Sequence, residues 1–265
     1  MADLLSGGTA VVTGAASGIG RATAIAYARD GCSNLLLGDL SVAGLEETRK
    51  LILDSYKEVK VEISLLDVAD EEVVEQFFSK GVQTFGRVDF AANVAGYAHK
   101  AAPIHDLSES EYEKSYAVNQ KGVFFCERAE IRQMLKQEPL PQFGYRGSIV
   151  NVTSLCATIS INGLAAYSAT KGGILGLTKT DALDYGPQNI RINAVAPGNT
   201  LTPMVVNAMP ANHLDLFASM TPLRRNAVPE DIANAIVWLS SPRAAYITGI
   251  SIPVDGGMNL QTGPP

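Results

Sequence analysis

Seven short apolar runs punctuate the chain: Ala10–Thr13, Leu35–Asp39, Val59–Leu66, Val88–Ala92, Ser148–Val152, Ile190–Val195 and Ile250–Val254. Runs of this length without strict alternation read as strands buried on both faces. The segments between them are long enough to return the chain as crossover helices, and that order belongs to a parallel sheet covered on both sides. The expected architecture is α/β, three layers (α/β/α), around a seven-stranded, doubly wound parallel sheet. The 265 residues suit one domain spanning 1–265.

Helix punctuation fits this reading. Ser41 is placed to cap a helix running to about Tyr56. Ser108-Glu-Ser-Glu111 has the spacing of a capping box ahead of a long segment ending near Gln137. Gly186-Pro187 stops the helix that contains Tyr167 and Lys171, with Gly186 tolerating a left-handed cap. Pro229 opens the last helix, where a proline forfeits no hydrogen bond. Two stretches read as irregular: Glu138–Arg146, a surface loop, and Asn199–Asn226, a substrate lid.

Charge and cysteines narrow the function class. Lys and Arg total 21 against 27 Asp and Glu, a net charge of −6 that argues against a nucleic-acid or anionic-membrane partner. Cys32, Cys126 and Cys156 are scattered, which suits reduced thiols and a cytoplasmic location. No run is long and apolar enough to span a membrane, and the N-terminus carries no signal-length apolar stretch. His99, His105 and His213 lack metal-ligand spacing, so no metal is expected.

The first run leads straight into Gly14-Ala-Ala-Ser17-Gly18-Ile19-Gly20 and then a helical Arg21–Arg29. Glycines let a backbone approach a pyrophosphate, and a helix N-terminus offers free N–H groups and a positive dipole end. A tight turn with close helix–strand packing is the plainer alternative. Asp39 ends the second run, where a carboxylate can bond both ribose hydroxyls of an adenosine and repel a 2′-phosphate. No Arg or Lys adjoins it, so NAD is expected in preference to NADP. Asp67, with Val68 beside it, is placed either to reach an adenine amino group or to cap a helix before Glu71.

Thr13-Gly-Ala-Ala-Ser-Gly-Ile-Gly20, Asn93-Val-Ala95-Gly96, Asn119, Ser154, Tyr167-Ser-Ala-Thr-Lys171 and Pro197-Gly198 follow one another in that order. This pattern strongly resembles the short-chain dehydrogenase/reductase family over nearly the whole chain. The resemblance implies a Rossmann-like sheet, a nicotinamide cofactor and hydride transfer at a carbon bearing oxygen. It puts Asn119, Ser154, Tyr167 and Lys171 in the catalytic positions. Two departures stand out. Val94 replaces a second Asn found in many relatives, with little effect expected, and Glu138–Arg146 lengthens one connection.

The residue types suit that chemistry. Tyr167 and Lys171 are one helical turn apart on one face. A free phenol is a poor base at neutral pH, and a nearby ammonium lowers its pKa. Tyr167 can then exchange a proton with an alcohol or ketone oxygen. Lys171 can also reach the nicotinamide ribose. Ser154 can donate to the reacting oxygen, on which charge develops. By resemblance, Asn119 supports a water that links Lys171 to solvent. Thr200 and Thr202, after Pro197-Gly198, are placed to bond the carboxamide and pyrophosphate, or are simply surface threonines before Pro203.

The lid is rich in Met204, Val205, Val206, Met209, Leu214, Leu216, Phe217 and Met220, which suits either a bulky apolar ligand or a helix pair with its own core. Tyr97, His99, Cys156 and Asn162 are expected near the opening. The expected activity is NAD(H)-dependent interconversion of a secondary alcohol and a ketone on a bulky, largely apolar small molecule. A cyclisation or isomerisation in the same pocket, or a non-catalytic dinucleotide sensor, are the alternatives. A homotetramer is expected from the resemblance, with Phe124, Phe125, Leu175 and Leu177 available for an interface.

Overall fold

A computed structural model describes residues 4–260. Its elements follow in the order β1 (Thr9–Thr13), α1 (Gly18–Arg29), β2 (Asn34–Asp39), α2 (Val42–Ser55), β3 (Lys60–Leu65), α3 (Glu71–Phe85), β4 (Phe90–Asn93) and α4 (Glu109–Ser115). The second half runs α5 (Gly122–Met134), β5 (Gly147–Val152), α6 (Ala165–Tyr185), β6 (Ile190–Pro197), α7 (Pro203–Ala208), α8 (Ala211–Met220), α9 (Pro229–Ser240) and β7 (Ser251–Val254). The seven strands form one parallel sheet in the order β3-β2-β1-β4-β5-β6-β7. The order reverses between β1 and β4, which opens a crevice beyond their carboxyl ends.

Alternation within the runs divides the core in two. Val12, Leu35 and Leu37 join Tyr27 of α1, Leu45 of α2 and Ile236 of α9 on one face of the sheet. Val11 and Leu36 join Phe77 of α3 and Phe125 of α5 on the other. Strands β1, β4, β5 and β6 are buried along their whole length. The outer strands β3 and β7 are only half-buried, because each lacks a neighbour on one side. The expectation of strands buried on both faces therefore fails at the two edges.

Ser41 caps α2 by accepting the Gly44 N–H at 3.2 Å. Ser108 accepts the Glu111 N–H at 3.3 Å, but the reciprocal half of the expected capping box is absent. The Glu111 carboxylate instead accepts the Tyr97 hydroxyl at 2.5 Å. The long middle helix is not continuous. A π-helical turn, Tyr116–Lys121, separates α4 from α5, which ends at Met134 and not near Gln137. At the end of α6, Gly186 keeps a right-handed φ of −53°, and Asn189, after a short 3-10 turn, takes the left-handed position at φ 59°. Glu138–Arg146 is not merely a surface loop: Phe143 packs edge-on against Phe90 of β4, and Tyr145 is buried. Asn199–Asn226 is not irregular; it folds into α7 and α8, neither of which has a buried residue. Among the described residues no helix is long and apolar enough to cross a membrane.

Candidate active site

The carboxyl ends of β1, β2, β4, β5 and β6 surround a cavity of about 370 Å³. At its floor the chain turns sharply from β1 into α1. Gly14 has φ +70°, and a Cβ there would lie 2.9 Å from the Ala95 backbone. A Cβ on Gly20 would lie 2.0 Å from the Gly14 carbonyl oxygen. The turn can therefore pass so close only without side chains, and it leaves the N-terminus of α1 facing the cavity. Gly14, Ser17, Gly18, Ile19 and Gly20 all line it.

Asp39, at the end of β2, lines one end of the cavity. Its carboxylate is already oriented, accepting the Ala16 N–H at 3.0 Å and the Ser41 N–H at 2.9 Å. Asp67 lines the same end and accepts the Ala69 N–H at 2.9 Å, while Asp70 caps α3. The helix-cap alternative for Asp67 is thereby excluded. Val68, Ala95, Gly96, Pro197, Gly198, Thr200 and Thr202 also line the cavity. Thr202 additionally caps α7, accepting the Val205 N–H at 3.4 Å.

Asn93 is the exception among the residues expected to contact the cofactor. Its side chain is 1% exposed and turned inward, its amide donating to Glu130 and Asn151, so it does not line the cavity. Val94 lines the cavity and donates its N–H to Thr13 Oγ1 at 3.1 Å.

Ser154, Tyr167 and Lys171 converge at the other end of the cavity. Ser154 follows β5 and opens a 3-10 turn, Leu155–Ala157, where its hydroxyl accepts the Cys156 N–H at 3.1 Å. That bond fixes the side chain and leaves its O–H free to donate. Lys171 is 3% exposed, and its ammonium donates to the Val152 carbonyl at 2.8 Å. Burial lowers its pKa to about 8. Burial also pushes the Tyr167 phenol up to about 12, the Cys156 thiol acting in the same sense and the Ser154 hydroxyl against it.

The expectation that Lys171 lowers the Tyr167 pKa is therefore not met in the chain alone. The ammonium donates to a backbone carbonyl and stands 5.8 Å from the centre of the phenol ring. Desolvation wins, and the phenol keeps its proton at neutral pH.

Asn119 sits in the π-helical turn, which widens the helix where it passes the site. Its side chain clamps the backbone of Tyr97, accepting the N–H at 2.7 Å and donating to the carbonyl at 2.8 Å. It donates as well to Thr170 Oγ1 at 3.2 Å, one turn from Tyr167 on α6. Asn119 itself does not line the cavity; it holds the loop after Gly96 against the catalytic helix.

Of the residues expected at the opening, Tyr97, His99, Cys156 and Asn162 do not line the cavity. Of the apolar lid residues, Met204 and Val205 do. Val118, Val152, Thr153 and Leu66 line it without any signal in the sequence beyond lying in strands, helices or their ends.

The donor set fits a dinucleotide. The glycine turn is a cradle that Cβ atoms would fill, a carboxylate stands at one end, and a lysine and a phenol stand at the other. Among the described residues no cluster could hold a metal ion.

Residues 14–259 match the family described as "Enoyl-(Acyl carrier protein) reductase". The short-chain dehydrogenase anuF of Penicillium roqueforti is 37% identical, with 96% of each chain covered. The cis-4-hydroxycyclohexanecarboxylate dehydrogenase of Sinomonas cyclohexanicum is 34% identical, with 97% of this chain and 98% of that one covered. The crystal structure of levodione reductase superposes with a TM-score of 0.91 at 32% identity, over 98% of this chain and 99% of that one. Relatives of this kind are oxidoreductases of alcohols and ketones that use NAD(P)(H), and the chain belongs to their family, the short-chain dehydrogenases/reductases.

Proposed function

We propose that this chain is an NAD(H)-linked oxidoreductase that interconverts a secondary alcohol and a ketone on a bulky, largely apolar small molecule. The observation that carries the reading is the arrangement of one cavity: Ser154, Tyr167 and Lys171 at one end, Asp39 at the other, and Lys171 the one cation lining it among the described residues. A 2′-phosphate beside Asp39 would meet a carboxylate and no compensating charge, which favours NAD(H). A bound nicotinamide nucleotide supplies or accepts the hydride. Its pyrophosphate would be held by the Gly14–Gly20 turn, its adenosine ribose by Asp39 and its nicotinamide half by Lys171, Thr200 and Thr202.

Tyr167 exchanges the proton at the reacting oxygen. A phenol protonated at neutral pH is poised as the acid for ketone reduction and must first release its proton for alcohol oxidation. Ser154 donates to the same oxygen as charge develops there. Lys171 contributes positive charge beside Tyr167. Asn119 acts by holding the Tyr97 loop against α6.

Met204 and Val205 support an apolar substrate, and the hydroxycyclohexanecarboxylate named for one relative supports a ring alcohol. Residues 1–265 form one domain in this reading, with 199–226 as its lid. The enzyme is a cytoplasmic homotetramer, supported by Phe124 on α5 and Leu183 on α6, which are 42% and 78% exposed. Leu175 and Leu177 are half-buried, and Phe125, buried in the core, drops out of the interface. The test is NADH formation with cyclic secondary alcohols, compared with NADPH formation under the same conditions. Turnover with NAD and little with NADP is expected. Equal efficiency with both overturns the Asp39 reading.

A further inference from the structure

Beneath the site, five buried polar side chains form one hydrogen-bonded chain. The two amide hydrogens of Asn93 on β4 go to Glu130 Oε2 at 3.1 Å and Asn151 Oδ1 at 3.0 Å. Those of Asn151 on β5 go to Glu127 Oε2 at 3.1 Å and Thr178 Oγ1 at 3.0 Å. Both amides are then exhausted as donors. Three oxygens remain without a partner: Glu127 Oε1, Glu130 Oε1 and Asn93 Oδ1. Glu127 is 2% exposed and Glu130 0%. Among the described residues no Lys or Arg pairs with either carboxyl. Arg128, between them in sequence, turns outward to Glu71 and Glu75 of α3. The titratable groups acting on the pair are Asp181 of α6, Cys126 of α5 and Tyr27 of α1, and none of them is a cation. Two buried carboxylates without a counter-charge and short of donors are costly, and a proton on each removes the buried charge, the larger of the two costs.

We propose that Glu127 and Glu130 are positioning residues carried as neutral carboxylic acids, so that the chain Glu130–Asn93–Asn151–Glu127, with Thr178, holds β4, β5, α5 and α6 together beneath the active site without a buried charge. Those four elements carry the site. Strand β4 leads to Gly96, β5 leads to Ser154, α5 continues from the turn holding Asn119, and α6 bears Tyr167 and Lys171, with Thr178 two turns beyond Lys171 on the same face. Burial supports the assignment, raising Glu130 to about 8 against the lowering effect of Asn93, and raising Glu127 well above the carboxylate range.

The sign of the pH dependence follows. Between the unfolded carboxylate range near pH ~4.3 and pH ~8, the folded chain keeps the Glu130 proton that the unfolded chain has lost. Stability therefore falls as pH rises, by about tenfold in the folding constant per pH unit for Glu130, and Glu127 acts in the same direction.

The test uses Glu127→Gln and Glu130→Gln, neutral isosteres with a donor and an acceptor, and the full chain. Folding constants from denaturant titrations at about pH 5.5 and about pH 7.5 should show Glu130→Gln losing about 100-fold less than wild type between the two, and Glu127→Gln also losing less than wild type. Wild-type pH dependence in both variants overturns the proposal. In the infrared, wild type should show a protonated-carboxyl carbonyl band that is missing from the double Gln variant; no such band in wild type also overturns it. A third measurement rests on the oxidoreductase reading. The Gln variants should keep kcat within about twofold while Glu127→Ala and Glu130→Ala lower it, and Gln variants as impaired as the Ala variants count against a neutral positioning role. The first two measurements do not involve turnover, so their failure is separable from failure of that reading.

Discussion

The two ends of the cavity are made of different material. Along β1, the glycine turn and α1, the chain passes the cavity as a tight backbone turn into a helix N-terminus, and side chains matter there mainly by being absent. Around β5 and α6 the working groups are side chains, brought together across the fold and altered by burial: Tyr167 is raised to about 12 and Lys171 lowered to about 8. The first end works by shape, which one short segment can encode. The second works by environment, which no segment holds alone. A substitution in the glycine turn should damage binding and folding together, whereas one at Tyr167 should damage chemistry and spare both.

The largest effect should come from Tyr167→Phe. It removes one oxygen from a half-buried ring and leaves the helix and the cavity walls in place. Turnover should fall by about 10²–10⁴-fold, the worth of a general acid–base group. NADH affinity by fluorescence and the melting temperature should stay near wild type. Near-normal turnover would mean that the catalytic end does not work through this phenol.

Gly20→Ala should show the opposite pattern. Its Cβ would overlap the Gly14 carbonyl, so the turn must open, at a cost above the roughly 1–3 kcal/mol of ordinary overpacking. Lower melting temperature and weaker NADH binding should appear together. A variant that loses turnover alone, with binding intact, would break the comparison.

Asp39→Asn combined with Leu40→Arg sharpens it by removing the charge: the Asn oxygen can still accept one of the Ala16 and Ser41 N–H groups, which bond different oxygens of Asp39, and the other N–H loses its partner. The NAD-to-NADP ratio of kcat/KM should fall by about 10–100-fold, the worth of a charged hydrogen bond. Ser41→Ala is the smallest change. It removes the cap of α2 and should lower stability by about 1 kcal/mol in thermal melts, with kcat unaffected.

The legible parts of the molecule share a property. All seven strands, the glycine turn, the Ser41 cap and the Pro229 helix start are written in neighbouring residues, so periodicity and turn chemistry reveal them. The misreadings also share one. Gly186 looked like the left-handed cap because glycine is permissive, yet Asn189 takes that geometry where the chain must turn into β6. Glu138–Arg146 looked like a surface loop because its prolines and glycine hide two aromatic anchors, Phe143 and Tyr145. Glu127 and Glu130 sit in a helix rich in charge, and nothing local distinguishes them from the exposed charges nearby.

By itself, then, the sequence determined the order of the strands, the glycine turn after the first of them and the spacing that marks Ser154, Tyr167 and Lys171 as candidates, since each depends on position along the chain. Tertiary structure alone decided the electrostatics: that Lys171 bonds the Val152 carbonyl, that Tyr167 holds its proton, that Asn93 turns inward, and that two glutamates lie buried beside it. A pKa and a hydrogen-bond deficit are set by what surrounds a group in space, and here those surroundings come from strands and helices far apart in the chain.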